Sequence, residues 1–108
     1  MRVLASLLLA LLFLTASAQK KIAFVSGLVT DENEKPLPNV SVVILGKPTG
    51  IVTNDSGFFR IKVTATKAAA IIFSYAGYAS VQKNFYLSEN EEERINVRLQ
   101  KDNKMLQT

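Results

Sequence analysis

An all-β sandwich of about seven short strands is the fold this sequence predicts, and three observations carry that reading. Apolar and polar residues alternate with the period of two that places every second side chain on one face of a sheet. Turn residues recur at short, even intervals between Gly27 and Tyr78, bounding those alternating runs. The place where a helical turn competes, Ala65 to Ala70, is too short to make a helix of consequence.

The elements follow in order. Lys21 to Thr30 is rich in β-branched and apolar residues and ends at the polar cluster Asp31–Pro36, so it reads as a strand and a turn. Val40 to Leu45 is a second strand, stopped by Gly46-Lys47-Pro48, and Ile51 to Thr53 is a third, short one. Asn54-Asp55-Ser56-Gly57 is a tight-turn signal, because Asn and Asp bond their own backbone and Gly57 supplies a positive φ. Phe58 to Val63 is then expected to pair with the strand before it as a hairpin. Ala70 to Tyr75 is a fifth strand and Gly77 breaks it, and Ala79 to Leu87 continues with weaker alternation. Ser88 to Glu93 reads as an acidic loop, and Arg94 to Gln100 alternates cleanly through Ile95, Val97 and Leu99.

Strand parity sorts the side chains. Val25, Gly27 and Val29, Val40, Val42 and Ile44, Phe59, Ile61 and Val63, Ile71, Phe73 and Tyr75, and Ile95, Val97 and Leu99 form the expected core. The opposite parity contains Phe24, Leu28, Val43, Leu45, Phe58 and Ile72, on what a free monomer would give to polar residues. Clustered, these six would mark an interaction face for a partner or for self-association.

The amino terminus is set apart from the fold. Met1-Arg2 is a short basic start, Val3 to Leu14 is an almost unbroken apolar run, and Ala16-Ser17-Ala18 supplies small residues for a signal peptidase. The run is shorter than the roughly 20 residues a transmembrane helix needs. Residues 1–18 are therefore expected to be a cleaved signal peptide, 19–100 one domain, and 101–108 a polar tail. The chain has no Cys, so it has no lipid-bearing residue of a lipoprotein and no disulfides. Periplasmic or secreted localisation in a bacterial envelope is the expectation. Thirteen basic residues against nine acidic ones give a net charge of +4. The basic residues are scattered along the chain at Lys35, Lys47, Arg60, Lys83 and elsewhere, which argues against nucleic acid as a partner.

Four segments in this order and spacing carry a resemblance. They are Gly27-Leu28-Val29-Thr30-Asp31, Pro36-Leu37-Pro38-Asn39-Val40-Ser41-Val42, Thr53-Asn54-Asp55-Ser56-Gly57-Phe58-Phe59-Arg60-Ile61, and Phe73-Ser74-Tyr75-Ala76-Gly77-Tyr78. Together they resemble the carboxypeptidase-regulatory-like domain, over nearly all of the chain beyond the leader. The resemblance implies a transthyretin-like (prealbumin-like) β-sandwich. It also implies a tie to TonB-dependent outer-membrane receptors of Bacteroidetes, in which such a domain often precedes the plug and barrel. Only a short polar tail follows the domain, too little for a plug and barrel, so the expectation is a free-standing relative or an amino-terminal fragment of a receptor.

The motif residues read independently as structural. Gly27 is expected to avoid crowding the opposite sheet, Pro36 and Pro38 to stiffen a connection, and Gly77 to let Tyr78 fold back at a corner. The chain has neither His nor Cys, which removes the commonest general base, the commonest metal ligands and the thiol nucleophile. Ser26, Ser41, Ser74 and Ser80 have no recognisable activating partner, and the histidine-dependent hydrolysis of some transthyretin relatives is excluded. Asp31, Glu32 and Glu34, or Asn54 and Asp55, offer oxygens to calcium, but both groups coincide with turns that require such residues. Glu89, Glu91, Glu92 and Glu93 read as a solvated loop. The expectation is a protein that is no enzyme and holds no cofactor or metal, a module of the envelope that acts through protein contact. A carbohydrate-binding module is the alternative, if Tyr86 and its neighbours form a flat aromatic row.

Overall fold

In the computed structural model, which describes residues 20–102, seven strands form two stacked sheets. The signal peptide read over residues 1–18 and the tail beyond Asp102 lie outside the described residues. The strands are β1 (Ile22–Thr30), β2 (Ser41–Ile44), β3 (Gly50–Val52), β4 (Phe58–Thr64), β5 (Ala68–Ser74), β6 (Val81–Tyr86) and β7 (Glu92–Arg98). One sheet runs β4-β1-β7 and the other β3-β2-β5-β6. Neighbouring strands are antiparallel except β1 and β7, which are parallel, with Gly27 beside Ile95 and Val29 beside Val97.

Period-two burial fills the space between the sheets. Val25, Val29, Val40, Val42, Phe59, Ile61, Val63, Ile71, Phe73, Val97 and Leu99 are buried as their parity predicts, and Ile44, Tyr75 and Ile95 are half-buried against them. Phe59 from one sheet meets Phe73 from the other edge-to-face, their ring centroids 5.2 Å apart. Ala23, Leu37, Ala65, Phe85 and Leu87 complete the interior.

Two expectations are corrected by the strand pairing. Phe58 to Val63 does not form a hairpin with Ile51 to Thr53, because β3 pairs with β2 and β4 pairs with β1 in the other sheet. The turn itself forms as its chemistry requires. Asn54 Oδ1 accepts from the amides of Ser56 and Phe58 at 3.0 Å each, and Gly57 has a φ of 76°. The reversal is local, however, and the chain then crosses between sheets. Glu92 and Glu93, assigned to an acidic loop, are the first residues of β7.

Gly27 is required for a reason other than the one its parity suggests. A Cβ there would lie 1.7 Å from the carbonyl oxygen of Ile95, so the crowding comes from the neighbouring parallel strand in the same sheet and not from the opposite sheet. At the other corner, Gly77 has a φ of 87°, and the Tyr78 ring lies 5.7 Å from that of Tyr75. Thr53 ties the connections around β2 and β3 together. Its buried hydroxyl donates to the Leu37 carbonyl at 2.6 Å and accepts from the Val40 amide at 3.0 Å.

Candidate interaction surface

The sandwich has two outward faces, and they differ in chemistry. Facing out from β4-β1-β7 are Phe24, Ser26 and Leu28, then Phe58, Arg60, Lys62 and Thr64, then Glu92, Arg94, Asn96 and Arg98. Arg60 lies over the Phe24 ring at 3.8 Å and donates to Glu92 Oε1 at 3.0 and 3.2 Å. The Ser26 hydroxyl, buried beneath this group, donates to Glu92 Oε2 at 2.9 Å. These bonds, the Arg60 pair first, hold the Glu92 carboxyl below the usual glutamate range. Arg98 pairs with Glu34 at 3.0 Å farther along the same face.

The outward residues of β3-β2-β5-β6 include no charged side chain. Val43 stands between Gly50 and Ile72, and Ser41 between Val52 and Ser74. Ile72 is followed by Gln82, Ala70 by Asn84 and Ala68 by Tyr86. The Leu45 amide donates to the Ala70 carbonyl at 2.9 Å, which extends the row. Leu45, Val52 and Tyr86, the large apolar side chains left most exposed at 61%, 59% and 70%, all belong to this face.

The six residues read as one interaction face are thus divided. Phe24, Leu28 and Phe58 lie outside the three-stranded sheet, where Leu28 pairs across strands with Phe58 and Arg60 roofs Phe24. Val43, Leu45 and Ile72 lie outside the four-stranded sheet. Parity alone cannot say which sheet a strand joins, and the two groups point in opposite directions. Val52 and Tyr86, not among the six, extend the second group. Tyr86 does not sit in an aromatic row: its cross-strand neighbour is Ala68, and Asn84 precedes it on the same face.

Of the residues offering oxygens to calcium, Asp31 and Asn54 serve the backbone of their own turns and Glu34 pairs with Arg98. Asp31 Oδ1 accepts from the amides of Asn33 and Lys35 at 2.8 and 2.9 Å, and the Lys35 bond is the main reason its carboxyl is lowered from the usual aspartate range. Glu91 Oε1 accepts from the Ser88 amide at 2.8 Å. Among the described residues, no three His, Cys, Asp or Glu side chains are grouped to hold a metal.

The fold is a two-sheet, seven-stranded all-β sandwich. The chain belongs to the CarboxypepD_reg-like domain family, whose match covers residues 25–108, and the family is regulatory and non-catalytic. No curated protein matches the chain in sequence. Among solved structures it is similar to the 3-chlorocatechol 1,2-dioxygenase of Rhodococcus opacus 1CP, at 13% identity and a TM-score of 0.60, covering 80% of this chain and 62% of that one. The dioxygenase domain of a dioxygenase–carbohydrate-binding protein fusion from Streptomyces sp. SirexAA-E is similar at 14% identity and a TM-score of 0.60, over 81% of this chain and 84% of that one. A cohesin–X-dockerin complex from Acetivibrio cellulolyticus matches at 20% identity and a TM-score of 0.57, over 71% of this chain and 56% of that one. The chain spans less than two thirds of the first of these, and at such identities the likeness is one of fold.

Proposed function

We propose that this chain is an exported, non-catalytic module of the bacterial envelope that works by protein contact, through the outward face of its four-stranded sheet. The supporting observation is that exposed Leu45, Val52 and Tyr86 all stand on one face whose strands present no charged side chain outward, with half-buried Val43 and Ile72 on the strands between. A face of this kind loses little on desolvation and gains from burial of its apolar atoms. The family match supports the non-catalytic part of the reading. The leader-like residues 1–18 support export, and the resemblance to receptor-associated domains supports a partner within an outer-membrane receptor system.

The test uses the protein beginning at Gln19, since all seven strands lie between Ile22 and Arg98. Sedimentation velocity and capture from envelope extract are compared for the wild type, for L45K/I72K and for L28K/F58K. The expected result is self-association or capture that L45K/I72K abolishes and L28K/F58K preserves. Behaviour unchanged in L45K/I72K would refute the reading.

A further inference from the structure

A cleft of about 480 Å³ opens at the end of the sandwich where β1 begins, β2 and β4 end and β5 begins. Its lining includes Ala68, Ala69 and Ala70 with Ile44, Leu45 and Val63, and the sequence explains why it is not filled. β5 carries Ile71, Ile72 and Phe73 farther on, but three consecutive alanines at its start supply only methyl groups. Five lysines, Lys20, Lys21, Lys47, Lys62 and Lys67, line the same cleft, and among the described residues no carboxylate does.

These lysines are scattered in sequence and brought together by hydrogen-bonded turns. The Ala65 amide donates to the Lys21 carbonyl at 3.0 Å, which fixes the start of β1 beside the β4–β5 turn that carries Lys67. The Lys47 amide donates to the Ile44 carbonyl at 3.0 Å, which turns the chain after β2, and the Leu45 amide donates to the Ala70 carbonyl at 2.9 Å, which holds that end against the start of β5. None of the five ammonium groups enters an ion pair among the described residues. Five like charges around an apolar floor repel one another, and an anion seated among them relieves that repulsion. Lysine offers a mobile point charge instead of a rigid fork, which suits a head group without fixed planar geometry. The volume falls in the range of small-ligand sites.

From the apolar floor and the unpaired lysine rim together, we propose that this cleft binds a soluble anionic amphiphile, an apolar body of small-ligand size bearing a carboxylate or phosphate head. The site lies at one end of the sandwich and shares Leu45, Ala68 and Ala70 with the edge of the sheet face proposed above, but Lys47 and Lys67, whose charge it rests on, are not among that face's outward residues, so the two readings fail separately.

Amide chemical shifts of the protein beginning at Gln19 are followed during titration with sodium decanoate, decyl phosphate, decanol and inorganic phosphate. The expected result is saturable shifts at Ala68–Ala70 and Leu45 with both anionic amphiphiles. Their affinity should exceed that of decanol or phosphate by about tenfold or more, and K47Q/K67Q should lower it by a similar factor. Equal affinity for decanol would remove the role of the lysines, and equal affinity for inorganic phosphate would remove that of the floor. Either outcome, or unchanged decanoate affinity in K47Q/K67Q, would overturn the proposal. Co-sedimentation with phosphatidylglycerol vesicles without a saturable decanoate response would also overturn it, assigning the lysines to a membrane surface. If K47Q/K67Q perturbed the fold, the wild-type comparison of decanoate with decanol would decide.

Discussion

The outer surfaces of the two sheets share an interior yet solve the problem of exposed apolar side chains in opposite ways. On the three-stranded sheet, Phe24 is covered by Arg60, and Arg60 is held by Glu92, which also takes the Ser26 hydroxyl. On the four-stranded sheet, Leu45, Val52 and Tyr86 have no such cover from the described residues, and its strands present no charged side chain outward. The difference teaches that counting apolar residues of the wrong parity is a poor guide to a contact surface. A long cation can lie across a ring and occupy it from within the same molecule.

Five substitutions sharpen or break this contrast. Gly27→Ala is expected to have the largest effect, because its methyl would collide with the Ile95 carbonyl and disrupt the β1–β7 seam of the three-stranded sheet. A loss above about 4 kcal/mol in denaturant unfolding is expected, beyond the ordinary range for one substitution. Phe59→Ala and Phe73→Ala, one from each sheet, are each expected to cost about 3–5 kcal/mol. Similar costs would confine the asymmetry to the exteriors, whereas a wide gap would show that one sheet dominates the core as well. Thr53→Val leaves the buried Val40 amide and Leu37 carbonyl without the hydroxyl, and a loss of about 1–3 kcal/mol is expected at the β2–β3 end of the four-stranded sheet.

Glu92→Gln should have the smallest effect, and it is read through pH. The folded-state pKa of Glu92 is depressed, so its contribution is complete above the ordinary glutamate value and is lost as the pH falls through the lower folded value. Wild type should therefore be the more stable protein near neutrality, with the gap to Glu92→Gln closing in acid. A gap that stays constant with pH would mean that the network over Phe24 contributes nothing through charge.

Much of the interior was legible because strand parity acts residue by residue. Eleven of the fifteen positions assigned to it by alternation, from Val25 to Leu99, are buried hydrophobic residues in the structure. Phe85 and Leu87 were missed because polar Gln82, Lys83 and Asn84 weaken the pattern of β6 just before them. Buried Ser26 and Thr53 escaped because their hydrogen-bond partners are distant in sequence. Pairing was harder to read than parity. Asn54–Gly57 specifies a reversal but not the sheet that receives β4, and the parallel contact of β1 with β7 leaves no local mark other than Gly27. The same limit hid the cleft, since lysines that look dispersed from Lys20 to Lys67 converge only after the turns have formed.

The adjacency of the first strand and the last has a temporal consequence. β1 is the middle strand of its sheet, yet one of its two flanks is supplied by residues some 66 positions later, as the Ser26–Glu92 bond measures. While the polypeptide emerges, that flank keeps its amide and carbonyl groups open to any extended segment nearby. A chain lacking β7 would therefore expose the flank of β1 to foreign strands, and the parallel pairing with β7 is what covers it.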